Sequence, residues 1–402
     1  MISIETALKM VLKNIRASPN SEVVKLTDSL GRILAKDIYS GIDIPSFDNS
    51  AMDGYAVRAS DTFSVSKEKG KTLRVIEDVK AGFIAKKILK SGQAIRIMTG
   101  ASVPKCADSV VMVEDTRPEG KYVEIFKEVE PEENIRKKGE DIKKGRCIIR
   151  KGTLLKPAHI GVMASLGISK VEVSKKPKIA VLATGDELVD VHEKLTPGKI
   201  RSSNTYSLYS QIVNCGGIPK NLGIAKDQPN KLKAKIKEGL NCDLILTSGG
   251  VSVGDYDLVK LVLAEMGTDI KFWQVAMRPG KPLVFGRIKG VPVFGLPGNP
   301  VSSMVSFEIF VKPAIIKMLG QGGDYRNAVN AILEEKITKK KGLKYFLRAK
   351  TRWENGIYVT RTTGAQGSGI LKSMALANSL IILPEEKKHI KKGEEVTVWF
   401  LN

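Results

Sequence analysis

The sequence predicts a multidomain α/β and β protein. Its centre is a doubly wound, mainly parallel α/β module, flanked by an N-terminal helical part with an all-β insert and by a small C-terminal β-barrel. Three observations lead there. Short apolar runs alternate with helical periodicity from 176 to 320, strand-like runs broken by Gly, Pro and charged turns fill about 40 to 150, and strand texture returns after about 325. Strands alternating with helices make βαβ units and a parallel sheet. Short strands with dense turn signals make all-β structure. At 402 residues the chain exceeds the usual size of one domain.

Taken in order, Ile4, Ala7, Leu8, Val11, Leu12 and Ile15 form the stripe of an amphipathic helix, with Ser3 placed to cap it. Runs such as Ala94 to Met98 and Asp108 to Val113 then read as strands of the insert, and helix texture resumes at 157 to 167. The insert therefore interrupts one N-terminal unit. In the central module, the apolar run Lys178 to Ala183 ends in Thr184-Gly185-Asp186-Glu187. Helical periodicity covers Ser203 to Cys215, a short run spans Leu222 to Ala225, and a second helix covers Asn230 to Gly239. Asp243 to Leu246 ends in Thr247-Ser248-Gly249-Gly250, and helices follow near 257 to 266 and 300 to 319. The C-terminal strands are Tyr345 to Lys350, Gly356 to Arg361, Ser379 to Leu383 and Val396 to Phe400. The expected divisions are 1–40 with 145–175, 41–144, 176–322 and 323–402.

Composition removes several function classes. Hydrophobic residues make up 42% and charged residues 27%, an ordinary globular balance. Apolar runs such as Leu380 to Leu383 are too short to span a bilayer. The opening Met1-Ile2-Ser3-Ile4-Glu5-Thr6 lacks the basic flank and apolar core of a secretory signal, so a cytoplasmic protein without membrane contact is expected. Cys106, Cys147, Cys215 and Cys242 form no Cys-x-x-Cys pair, and His159, His192 and His389 form no His-Glu-x-x-His. Zinc and a disulfide framework are thereby disfavoured. Each cysteine is expected as a small buried apolar residue, and any metal as a hard cation on carboxylates. The net charge of +22 attracts polyanions. Aromatic content is only 6%, however, and the lysines are dispersed in turns such as Lys137-Lys138-Gly139 and Lys391-Lys392-Gly393. This argues against a specific nucleic-acid partner.

Ligands of open α/β sheets bind beyond the carboxyl ends of the strands. Thr184-Gly185-Asp186-Glu187 and the segment Ser248-Gly249-Gly250-Val251-Ser252-Val253-Gly254-Asp255-Tyr256-Asp257 both stand there. Glycine lets backbone N–H groups approach an anion, and a helix N-terminus adds positive potential. Neither a P-loop nor a Gly-x-Gly-x-x-Gly strand-to-helix fingerprint is present. These loops fit a phosphate, or simple turns. Glu187, Asp227 and Asp257 follow successive strand ends; they can share a hard divalent cation or serve as helix caps. Arg278-Pro279-Gly280-Lys281-Pro282 is a stiff loop that fixes a cation. Leu296-Pro297-Gly298-Asn299-Pro300-Val301-Ser302 begins a long helix, where Ser302 and backbone amides can hold an oxyanion, or is a surface turn. Pro45-Ser46-Phe47-Asp48-Asn49-Ser50-Ala51-Met52-Asp53-Gly54-Tyr55-Ala56-Val57 is a polar loop with aromatic anchors, or a turn satisfying its own backbone.

At this point the chain resembles, over essentially its whole length, the molybdopterin molybdenumtransferase family, which includes the E domain of gephyrin and the plant molybdenum-insertion domain. The motifs that carry the resemblance are the 45–57 segment, Arg96-Ile97-Met98-Thr99-Gly100-Ala101, Glu133-Asn134-Ile135-Arg136-Lys137-Lys138-Gly139-Glu140-Asp141-Ile142, Ala183 to Leu188, Ser248 to Asp255, Pro279 to Pro282 and Leu296 to Ser302. The resemblance implies an elongated homodimer whose α/β module is similar to the domain that adenylylates molybdopterin. The implied substrates are adenylyl-molybdopterin and molybdate. The dithiolene receives the metal and AMP leaves, with an adenylyltransferase as a further partner.

The resemblance also assigns residues. Glu187, Asp227 and Asp257 would hold Mg²⁺. Lys281, Pro282, Ser302, Arg348 and Ser368 match oxyanion-binding positions, and Arg278 stands where the family often has Lys, keeping charge but not geometry. Thr184, Gly185, Asp186, Ser248, Gly249, Gly250, Ser252, Gly254, Pro297, Gly298, Asn299 and Pro300 would bind the substrate. Asp53, Thr99, Arg136 and Asp141 match the family's cleft residues on the insert, reaching the partner subunit's α/β module. Tungstate equals molybdate in charge and nearly in size, and both stay open. Adenylyltransferase-like activity and a gephyrin-like scaffold are the alternative functions. The long insert and C-terminal domain favour insertion over the first, and the intact carboxylates favour catalysis over the second.

Overall fold

The computed structural model describes residues 1–17, 20–250, 258–322 and 328–401. Two compact units emerge: one from 1–36, 151–160 and 169–402, the other from 37–150 and 161–168.

In the first unit, the N-terminal stripe folds as the helix Ile4–Asn14, and Ser3 Oγ caps it by accepting the Thr6 N–H at 3.1 Å. Ile4, Ala7 and Val11 are its buried face. The helix texture at 157–167 folds as the helix Pro157–Ser165. Ser21–Lys25 pairs antiparallel with Lys170–Ser174, joining segments that the insert separates in sequence.

The central module contains β1 (Lys178–Thr184), α1 (Ser203–Asn214), β2 (Ile218–Ala225), α2 (Pro229–Gly239), β3 (Leu244–Ser248), α3 (Leu258–Glu265), β4 (Asp269–Gln274), β5 (Pro282–Ile288), β6 (Val291–Leu296) and α4 (Pro300–Ser306). Its sheet order is β2-β1-β3-β6-β5-β4. The pairs β1–β2, β1–β3 and β3–β6 are parallel, while β5 pairs antiparallel with both neighbours. Side-chain alternation along a strand sorts the core. Ile179, Val181, Leu244 and Leu246 pack with Leu208 and Ile212 of α1, whereas Ala180, Leu182 and Ile245 pack with Leu232 and Ile236 of α2 and Val259 and Val262 of α3. Both faces are thus covered, which explains the continuous apolar runs of β1 and β3. The antiparallel β4–β5–β6 edge is the part the helix–strand rhythm did not announce. α4 continues through a π-helical turn (Phe307–Val311) into α5 (Lys312–Met318).

The C-terminal strands Ala328–Leu333, Lys344–Glu354, Ile357–Thr362, Ser379–Leu383 and Glu395–Phe400 close on themselves, because Lys344–Glu354 pairs with both Ile357–Thr362 and Ser379–Leu383. This is the expected small barrel, cored by Leu333, Leu347, Ile381 and Val398. A short strand, Met277–Arg278, pairs with Lys344 and Tyr345 and carries the Arg278 loop onto the barrel.

The second unit holds the β-rich insert, with a six-stranded sheet and apolar clusters on both faces, together with the end of the helix Pro157–Ser165. Gly54 has a steric reason: a Cβ there would lie 1.9 Å from the Val111 carbonyl oxygen. The cysteines are less buried than expected: Cys242 is buried, Cys147 and Cys215 are half-buried, and Cys106 is exposed, in a turn at φ 69°.

Candidate functional site

Three neighbouring parallel strands, β1, β3 and β6, end side by side in Thr184-Gly185, Gly249-Gly250 and Pro297-Gly298. Together with Ser202, Ser203 and Asn204 at the start of α1, these ends line a cavity of about 450 Å³. Gly249 is the steric key. Its N–H donates to the Leu296 carbonyl at 3.1 Å, tying β3 to β6, and a Cβ would stand 2.4 Å from the Thr184 carbonyl oxygen. With φ +97° the position also disfavours any L side chain. Thr184, Gly185, Ser248, Gly249, Gly250, Pro297, Gly298, Asn299 and Pro300 are therefore brought together as expected residues of one hollow, joined by Pro282. Ser252, Gly254 and Asp257 lie outside the described residues.

The acidic residues sit at the mouth. Glu187 and Asp227 line the cavity, and Asp186 Oδ1 accepts the Asp227 N–H at 3.2 Å. Partial desolvation, and then the neighbouring charges of Asp186 and Glu187, hold the Asp227 carboxyl above the usual carboxylate range. Among the described residues no three acidic, histidine or cysteine side chains stand close enough together to hold a metal.

The residues expected to bind an oxyanion divide between places. Arg278, exposed and 5.7 Å from the Tyr345 ring centre, lines a second cavity of about 660 Å³, as does Arg348. Arg348 differs from the expectation of an open anion ligand, because its side chain is fully buried. Nε donates to Ser373 Oγ at 3.0 Å, Nη1 to the Gln366 carbonyl at 3.3 Å, and Nη2 to the Gly367 carbonyl at 2.9 Å and the Ala365 carbonyl at 3.4 Å. No carboxylate pairs with it among the described residues, and burial lowers its pKa to about 10. The guanidinium thus anchors the 365–367 loop. Gln366 completes the knot: its Oε1 accepts the Arg348 N–H at 2.9 Å and its Nε2 donates to the Arg348 carbonyl at 3.1 Å. The loop then reaches α4, where the Ser368 carbonyl accepts the Val301 N–H at 3.0 Å. Ser302 is 4% exposed in the first turn of that helix. Lys281 is exposed and holds the loop through its carbonyl, which accepts the Val275 N–H at 3.0 Å.

Asp53, Thr99, Arg136 and Asp141 are exposed residues of the insert unit. Asp53 Oδ1 accepts both the Thr99 N–H at 2.6 Å and the Thr99 hydroxyl at 2.7 Å. Those two bonds hold the carboxyl below its usual range. Arg136 closes the short strand paired with Asn49–Ser50, and the Asp141 N–H donates to the Ile44 carbonyl at 3.1 Å.

Sequence reasoning missed Asn204. Its Nδ2 donates to Ser248 Oγ and to the Gly298 carbonyl, both at 2.8 Å, stitching two strand-end turns together from α1. The available signal was the polar run Arg201-Ser202-Ser203-Asn204-Thr205, which reads only as a helix start.

Comparison with known proteins agrees with this geometry. Residues 2–167 match the family model described as MoeA N-terminal region (domain I and II), 180–317 the "probable molybdopterin binding domain", and 330–401 the MoeA C-terminal region (domain IV). A molybdopterin molybdenumtransferase of Bacillus subtilis is 37% identical, covering 99% of this chain and 93% of that protein. One of Haemophilus influenzae is 36% identical, covering 99% and 98%. The crystal structure of a molybdopterin biosynthesis moeA protein from Pyrococcus horikoshii superimposes with a TM-score of 0.87 at 35% identity over 100% of both chains. Full-length matches at this identity, on a fold with the same α/β module and closed barrel, mean that the chain belongs to the molybdopterin molybdenumtransferase family, a family of transferases in molybdenum cofactor biosynthesis.

Proposed function

We propose that the chain inserts molybdenum from molybdate into the dithiolene of adenylyl-molybdopterin and releases AMP, with Mg²⁺ assisting. The observation that carries this reading is the carboxylate pair Glu187 and Asp227 at the mouth of a glycine-walled hollow on three parallel strand ends. Gly185, Gly249 and Gly250 let backbone approach a phosphate closely. Glu187 and Asp227, together with Asp257, would hold the cation. The donor set fits one: partial desolvation and then the like charges of Asp186 and Glu187 raise the Asp227 pKa, and a bound cation would relieve that crowding. A divalent ion held there would draw charge from the phosphate linkage.

Ser302, buried at the start of a helix that continues to Met318, presents a hydroxyl and a first-turn N–H to a tetraoxo anion. Lys281 and Arg278 supply charge, Pro282 stiffens their loop, and Arg348 holds the loop that ends in Ser368. Asp53, Thr99, Arg136 and Asp141 enter this reading as residues of the insert that serve a homodimer's shared site. The reading also includes a cytoplasmic location, an adenylyltransferase that supplies the substrate, and tungstate as a competent substitute for molybdate. Catalysis is then positioning and electrostatics. A cysteine nucleophile is disfavoured at Cys215, whose thiol burial pushes up to about 12, and at Cys242, raised for the same reason.

The test is direct. Incubation with adenylyl-molybdopterin, Mg²⁺ and molybdate should yield AMP and metal retained on the pterin. Lys281→Ala and Asp257→Ala should each lower turnover at least tenfold while the unfolding transition stays in place. Unchanged rates in both variants defeat the assignment.

A further inference from the structure

Two residues that line the strand-end hollow each carry a buried polar atom without a partner among the described residues. Asn204 is 8% exposed, and both N–H bonds of its Nδ2 are spent, on Ser248 Oγ and on the Gly298 carbonyl. A carbonyl can only accept, so the amide's orientation is fixed. Turned over, Oδ1 would face the Gly298 oxygen with no proton between them. Oδ1 is therefore left buried and, among the described residues, without a partner. Thr184, 3% exposed, is in the same state at Oγ1. Both residues line the cavity of about 450 Å³. Buried acceptors without donors are costly, and the usual explanation is a group that arrives later.

The chemistry of that group follows from the atoms. Asn204 Oδ1 offers only lone pairs, and the Thr184 hydroxyl can accept as well as donate. Phosphate and tetraoxo anions present acceptors, so Oδ1 repels them. A heterocycle with an amino-substituted edge presents N–H donors. We propose that Asn204 Oδ1, with Thr184 Oγ1, reads the N–H edge of the ligand's ring, that of a pterin or of adenine, and so sorts the substrate from oxo-substituted look-alikes. This rests on the reading above that an adenylylated pterin occupies the hollow, and adds the groups that recognise it.

The experiment edits the ligand, so it does not depend on a variant folding. Binding to the full chain is measured by titration calorimetry for pterin against lumazine, in which the 2-amino donor is replaced by an oxo acceptor, and for adenosine against purine riboside, which lacks the 6-amino group. At least one pair should differ tenfold or more in favour of the amino compound, and the pair that does names the ring on these atoms. The near-isosteric Thr184→Val, and Asn204→Ala where it folds, should shrink that difference below threefold. Both pairs within twofold, no binding of any of the four at millimolar concentration, or discrimination that survives both substitutions overturns the proposal. The insertion reading is judged apart. AMP release with unsorted rings sinks only this assignment, whereas sorted rings without AMP release or metal retention sink the insertion reading and leave the ring-edge contact standing.

Discussion

Gly249→Ala probes the strand-end hollow at its most constrained point. The new Cβ would stand 2.4 Å from the Thr184 carbonyl oxygen and 3.0 Å from Thr184 Oγ1, at φ +97°. A comfortable carbon–oxygen separation begins at about 3.3 Å. The ends of β1 and β3 must therefore part by roughly 0.9 Å, because the closer contact is with backbone that cannot swing aside. Backbone strain contributes about 1–3 kcal/mol and forced repacking about 1–3 kcal/mol, so the variant should lose about 2–6 kcal/mol. A displacement near 1 Å in a substrate cradle costs on the order of 10²-fold in rate. Gly223→Ala supplies the control. It shares a positive φ, +80°, but a Cβ there meets nothing within 4 Å. Only the strain remains, about 1–2 kcal/mol, with turnover retained. Denaturant unfolding and AMP release on both variants give the answer. Equal stability losses together with unimpaired release from Gly249→Ala would refute the reasoning.

Arg348→Ala should destabilise by about 3–5 kcal/mol, because it leaves a buried cavity and three loop carbonyls without donors. It should also raise the molybdate concentration for half-maximal AMP release at least tenfold. Arg348→Lys, lacking the planar fork, should recover little of either. Asp227→Asn should abolish Mg²⁺-dependent release yet raise the melting temperature slightly, by about 1 °C, in magnesium-free buffer near neutrality. The sign follows from its raised pKa: the protonated fold is the favoured one, so this stability is present at low pH and lost as pH rises through the folded pKa. The gain should vanish well below the usual carboxylate range. Asp53 has the opposite sign, since its two bonds from Thr99 depress its pKa. Its contribution is present above the ordinary carboxylate range and lost as pH falls through the lowered value. Acid unfolding of wild type against Asp53→Ala checks it, the difference narrowing as pH falls.

What was legible in the sequence was whatever local pattern dictates. Ser3 caps its helix, and the runs through Ile179–Leu182 and Leu244–Leu246 are apolar at every position because both faces of the sheet are covered. Strand ends rich in glycine marked the hollow, since close backbone approach has few other solutions. Two kinds of fact stayed hidden. The β4–β5–β6 edge is antiparallel, and the tight reversal at Lys289-Gly290 between β5 and β6 carries no helix to punctuate it. Arg348 has the residue type of an anion ligand, but its burial against the 365–367 carbonyls is decided by tertiary packing eighteen residues away in sequence. Asn204 was hidden for the opposite reason: polar residues before a helix are so often caps that a bridge to two distant turns leaves no separate trace.

The split of charge between two cavities has a functional logic. The 450 Å³ hollow holds Glu187 and Asp227 against Arg201 alone, whereas Arg278, Lys336, Lys339, Lys340, Arg348 and Lys388 face Glu335 in the 660 Å³ one. In a single chamber the carboxylates would repel a doubly charged tetraoxo anion and the cations would displace a divalent metal. One loop spans the two: Pro282 lines the first cavity, Arg278 and Pro279 the second. Gly280 lets that loop lie close against the long helix, where a Cβ would come 2.5 Å from Ser306 Oγ. Four residue steps reach at most about 14 Å, and the Debye length at physiological salt is about 8 Å. On the insertion reading, a cation in the first cavity and an oxyanion in the second would each meet its own counter-charges without competing for one chamber.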